Sequence, residues 1–156
     1  MFANLRRALW DFRLRFKWEG QSARILRDLE ALQWKSPEEV ERVQRAHLES
    51  LLRHASQNVP YYAEILQKAG VVDKQGAVNL DAFAGIPLLD KATIRENFDR
   101  LHIKDLSNGK WIFNTSGGST GEPVRLIQDS VYKDWGVAIK DLMDRWSGYM
   151  IGHPKA

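Results

Sequence analysis

Cysteine is absent from these 156 residues. That excludes a disulfide framework, a thiolate metal site and a thiol nucleophile together. It also fits a reducing compartment, so the chain is expected to be cytoplasmic. Long apolar runs are missing too. No stretch approaches the roughly 18 residues that cross a bilayer, and the N-terminus has no continuous apolar segment of a secretory signal. An excess of one charge is nearly absent outside one short arm. The net charge is +3, and residues 1–18 alone hold Arg6, Arg7, Arg13, Arg15 and Lys17 against Asp11, five bases against one acid, or +4. The remainder is therefore about −1, and a general nucleic-acid reading loses its support.

What is present is a globular composition, 44% hydrophobic and 28% charged, in a chain long enough for one domain with a real core. In the basic arm, Leu5, Leu9, Phe12 and Phe16 follow helical spacing with Arg6, Arg13 and Lys17 on another face. Two uses fit that pattern: weak contact with an anionic membrane surface, which would make the protein peripheral to the membrane, or packing on its own domain. Ser22 is placed as the N-cap of a short helix through residue 33. Ser36, Pro37, Glu38 and Glu39 open the clearest helix of the chain, with Val40, Val43, His47, Leu48, Leu51, Leu52 and Ala55 as one apolar stripe. His47 is read as packed within it.

Pro60 breaks that helix and starts another, which Gly70 ends. Tyr61 and Tyr62 are expected to wedge helices together or to line a pocket. Residues 71–80 read as loop, with Asn79 or Asp81 capping a turn and Asp90 capping a helix from Lys91. Lys91 lies in a first helical turn, against the dipole, and is either a phosphate contact or a solvated lysine. Residues 110–114 and 124–127 read as strands. Ser130 caps a last helix with Trp135, Ile139, Leu142 and Trp146 at helical spacing, ended by Gly148. The fold class is α+β, a mostly helical part followed by strand, loop, strand and helix.

Between the two strands lies Asn114-Thr115-Ser116-Gly117-Gly118-Ser119-Thr120-Gly121-Glu122-Pro123, ten residues with three glycines and four hydroxyls. Such a segment cannot build a core, but it can bring backbone N–H groups and hydroxyls close to an anion. A Walker loop would need a second glycine at 122 or 123, where Glu122 and Pro123 stand. Gly117-Gly118-Ser119-Thr120-Gly121 matches the Gly-x-Ser-x-Gly pattern of a hydrolase elbow, but an elbow requires a helix immediately afterwards. A β-type run follows here. A loop that closes over the β- and γ-phosphates of ATP remains, beside the bland alternative of a flexible glycine–serine connection.

Thr115 through Pro123 resembles the phosphate loop of adenylate-forming enzymes, and most closely the phenylacetate–CoA ligase branch with its relatives named after capsule biosynthesis (CapK-like) and coenzyme F390 synthesis. Asn58-Val59-Pro60-Tyr61-Tyr62 and Ile86-Pro87-Leu88-Leu89-Asp90-Lys91 resemble the two signatures that precede the loop in that branch, so the likeness covers roughly residues 36–146. It implies an AMP-forming acid ligase that activates a small carboxylate with ATP and Mg²⁺ and passes the acyl group to coenzyme A or another acceptor. Carried over residue by residue, it places Thr115, Ser116, Ser119 and Thr120 against phosphate and uses Gly117, Gly118 and Gly121 for the backbone conformation. Many relatives have lysine where Glu122 stands, so Glu122 is given no phosphate role.

On this reading residues 1–35 are the basic arm and a short helix, and residues 36–156 the N-terminal portion of an adenylation domain. The adenine site, the metal-binding acid and the lid lysine are expected downstream of Ala156. The catalytic residues are therefore unassigned, and the isolated chain is expected to bind ATP weakly without turnover. The rival expectation is a non-catalytic helical interaction module.

Overall fold

The computed structural model describes residues 20–107, 111–116 and 123–149. The basic arm, and with it any membrane contact through residues 1–18, lies outside them. So does the chain from Met150 to Ala156. Helices dominate, with one two-stranded antiparallel sheet, an α+β composition. Among the described residues no helix is long and apolar enough to cross a membrane. The described chain divides into two compact units, residues 20–36 with 130–149, and residues 37–129.

The first unit pairs helix α1 (Gln21–Leu32) with α5, the last helix (Ser130–Trp146). Ile25 and Leu26 of α1 bury against Ala138 and Leu142 of α5, with Leu29 at the margin. The small Ala138 side chain lets the helices approach. Polar contacts climb both helices in step: Ser22 Oγ donates to Asp134 Oδ1 at 2.8 Å, Arg145 pairs with Glu30, and Trp146 Nε1 donates to Gln33 Oε1 at 2.8 Å. The two helices therefore run parallel. Ser22 is not the N-cap that the sequence suggests; Gly20 holds that position and the Ser22 hydroxyl serves the interhelical bond. On α5 the face that buries is Ala138, Asp141 and Leu142. Of the expected stripe only Leu142 is buried; Trp135, Ile139 and Trp146 stay exposed.

The second unit begins with α2 (Pro37–Asn58) and α3 (Pro60–Lys68). Pro60 at the start of α3 needs no intrahelical N–H partner, and Gly70 at φ 70° turns the chain out of the helix. That turn delivers Val71 and Val72 onto α3, their N–H groups donating back to the Leu66 carbonyl. Leu66, Val71 and Val72 are the largest fully buried side chains among the described residues, closed by Leu52 and flanked by Leu48, Tyr62 and Ile86. Residues 71–80 are thus more than a loop: Val72 bridges Val78 across a turn at Gly76, φ 85°. The α2 stripe is corrected as well. Only Leu52 is buried; the side that packs runs through Leu48, Leu52 and Ala55, and His47 and Leu51 lie about 100° around the helix from it and are exposed. Asn79 caps a 3-10 turn (Leu80–Gly85), and Asp90 caps α4 (Lys91–Glu96) by accepting from the Thr93 N–H at 2.7 Å. Those bonds from Thr93 hold the Asp90 carboxyl below its usual range.

Candidate functional site

The unit ends in a hairpin of β1 (Ile112–Thr115) and β2 (Arg125–Gln128), with Thr115 opposite Arg125 and Ile112 opposite Gln128. Two bonds close its mouth. The Ser116 N–H donates to the Val124 carbonyl at 2.9 Å, and the Val124 N–H donates to Ser116 Oγ at 2.9 Å. Val124 is buried and Thr115 exposed. The Ser116 hydroxyl accepts from the backbone and keeps its own proton for another acceptor. Of the sequence-predicted site residues, Thr115 and Ser116 therefore stand together at the loop base, while Gly117, Gly118, Ser119, Thr120 and Gly121 lie outside the described residues. The catalytic residues expected downstream of Ala156 lie outside them too, so no side chain described here takes a catalytic assignment. The segment after the loop is a strand, not the helix a nucleophile elbow requires.

A pocket of about 470 Å³ opens in the same unit. Its walls are mostly apolar: Val59, Leu89, Ile94, Leu101 and Leu106 among aliphatics, with Tyr62, Phe98 and Trp111. Burial pushes the Tyr62 phenol up, with Tyr61 adding to it. The two rings meet edge to face at 5.5 Å, so the pair both packs the helices and, through Tyr62, lines the pocket. The Arg125 guanidinium lies over Phe98 at 4.7 Å and reaches Phe113 at 5.7 Å. These contacts are attractive because a ring face carries partial negative charge.

Two histidines in the wall have their Nδ1 engaged. Asn58 Nδ2 donates to the His54 carbonyl at 2.9 Å and lies 3.2 Å from His54 Nδ1. His102 Nδ1 lies 2.8 Å from the Ile103 carbonyl, which only accepts, so that nitrogen carries a proton. Trp111 Nε1 is buried with no hydrogen-bond partner.

No family model, curated protein or solved structure matches the chain. The loop was visible in the sequence as an unbroken run of small residues. The pocket was not. His54, His102, Trp111 and Arg125 come from four separate segments, and the only local hint was an apolar patch around Trp111.

Proposed function

We propose that the chain carries the phosphate-binding part of an adenylate-forming acid ligase. The observation that supports this reading is the loop's mounting: a segment of glycines and hydroxyls is held at both ends of an antiparallel hairpin by the paired Ser116–Val124 bonds. The donors at its base suit an anion. The Ser116 hydroxyl keeps a proton to give, Thr115 is exposed beside it, and Arg125 stands opposite Thr115 in register. These residues, with Ser119, Thr120 and the loop amides, would hold the β- and γ-phosphates of ATP. A carboxylate oxygen attacks the α-phosphorus, the bond to the β-phosphate breaks, and pyrophosphate leaves with the electron pair. The loop's work is to stabilise charge on that leaving group. A second acceptor, coenzyme A in the resembling branch, then displaces AMP from the acyl adenylate. Mg²⁺ would enter with the triphosphate, keeping most of its own waters; among the described residues no group of three His, Asp or Glu forms a cage.

Carboxylate-dependent exchange of labelled pyrophosphate into ATP, measured on the native protein from its source cells, tests this reading. Thr120→Ala should slow the exchange by about 10-fold or more, the scale for loss of a transition-state donor. Wild-type exchange in that variant contradicts the assignment. One observation favours a non-catalytic interaction module as the second reading. Trp135, Ile139, Met143 and Trp146 form an exposed apolar row along α5, a surface of the kind that meets partners. That reading predicts no exchange with any carboxylate.

A further inference from the structure

We infer that the exposed apolar row of α5 docks the first unit on an anionic lipid surface. This row favours the interaction module, but a docked face is equally compatible with a ligase, since none of its residues belongs to the loop or the hairpin. Vesicle binding and pyrophosphate exchange are therefore separate outcomes. Tyr132 extends the row of Trp135, Ile139, Met143 and Trp146, and exposure runs from 38% at Trp135 to 64% at Trp146. At ~100° per residue the five positions fall within an arc of about 80°, beside the face through Ala138 and Leu142 that packs on α1. Trp34, just past the end of α1, is exposed as well, and the bond from Trp146 to Gln33 brings that end beside the end of the row.

Ring chemistry and charge select lipid as the occupant. Indole and phenol rings join an apolar body to an N–H or O–H, so they settle at the boundary between acyl chains and headgroups. By sequence, residues 1–36 and 130–156 hold five of the six tryptophans, and twelve Lys and Arg against seven Asp and Glu, or +5. Residues 37–129 hold eleven against thirteen, or −2. Several acids of the helix pair are also turned inward: Asp141 is buried, Asp134 accepts from Ser22 and Glu30 pairs with Arg145. A basic unit that presents rings complements anionic headgroups above an apolar layer. A second copy would set +5 against +5, which opposes self-association through this face. Lys133 and Lys140 follow about 60–80° beyond Met143 around α5, where their stems run along the boundary and their ammonium groups reach the headgroups. The ion pair of Lys140 with Asp144 is solvent-exposed and so holds that ammonium only weakly.

Sedimentation of the full chain with vesicles of phosphatidylcholine, alone or with about one third phosphatidylglycerol, is the test. The anionic vesicles should bind at least about tenfold more tightly, and high salt should reverse much of that gain. Met143→Glu places a carboxylate within the row at an exposed position, and should weaken binding by about tenfold or more, the scale for withdrawing one buried apolar side chain. Tyr132→Ser should act in the same direction and serves should the first variant not fold. In bicelles carrying a doxyl-labelled lipid, amide signals of Tyr132, Ile139 and Met143 should broaden more than those of Val71 and Val72. Absence of binding to the anionic vesicles overturns the inference. So does binding that neither variant weakens, the result expected if the basic arm alone meets the lipid or itself covers the row. A concentration-dependent dimer that Met143→Glu breaks, without vesicle binding, gives the row to a second copy and overturns it too.

Discussion

Asp141 offers the sharpest test of how the first unit is held together. It is only 8% exposed, on the α5 face that packs against α1, and its Oδ2 is buried without a hydrogen bond. Burial raises its pKa; the nearby Arg145 and Lys140 pull in the other direction without reversing it. A carboxyl with a folded-state pKa above its unfolded value of about 3.9 contributes most below that value, where both states bind the proton. As pH rises, the unfolded state releases its proton first and stability falls. The loss is complete once the folded-state pKa is passed. Asp141→Asn keeps the shape and removes the charge, while one amide group stays unsatisfied. The gain at neutral pH should therefore lie at the low end of the ~1–3 kcal/mol for an unsatisfied buried group, about 1 kcal/mol. At about pH 3, where the wild-type carboxyl is neutral, the difference should shrink to a few tenths. Urea titration followed by the amide NMR signals of α1 and α5 reads this unit alone. A variant less stable at neutral pH, or one that gains equally at both values, refutes the reasoning.

Other substitutions probe the same architecture. Leu66→Ala empties the centre of the second unit, where Leu66 is 1% exposed; a loss of about 2–5 kcal/mol is expected in the urea midpoints of the α2 and α3 signals. Two glycines with equally open surroundings should respond with opposite sign, because neither has an atom within 4 Å of an added Cβ. Gly70→Ala forces alanine to φ 70° and should cost about 1–2 kcal/mol, whereas Gly136→Ala within α5 should stabilise by up to about 1 kcal/mol; thermal melts of both variants settle the signs. Asp90→Ala removes the α4 cap, and since that carboxyl titrates low, the contribution it removes should be present near neutral pH and vanish as pH falls below the usual carboxylate range. A pH series of amide exchange at Thr93 measures it.

Much of the fold was legible because its signals are local. Pro60, Gly70, Asn79, Asp90 and Gly148 each act within a turn of where they stand, and each marks an element end in the structure. The hairpin also followed from two apolar runs flanking a segment unable to pack. Periodicity served less well at choosing which side of a helix packs. On α2 that side runs through Leu48, Leu52 and Ala55 and leaves His47 exposed, and on α5 the small Ala138 rather than the aromatic row faces α1. Val71 and Val72 escaped because their burial depends on the direction in which Gly70 sends the chain. Of the candidate site, the loop's chemistry was readable in composition, but the role of Ser116 as a closing bond to Val124 was not. The pocket needed residues from 54 to 129 brought together, and no spacing announces that.

The central claim is that the glycine- and hydroxyl-rich loop takes the phosphates of ATP. A titration of MgATP into the ¹⁵N-labelled chain, up to millimolar concentration and with Thr120→Ala beside the wild type, tests it most directly. Saturable shifts confined to the loop and to Thr115, Ser116 and Val124, weakened in the variant, are the predicted result. Shifts spread over the protein, or a loop that is silent to MgATP while the pocket signals remain intact, would contradict the claim.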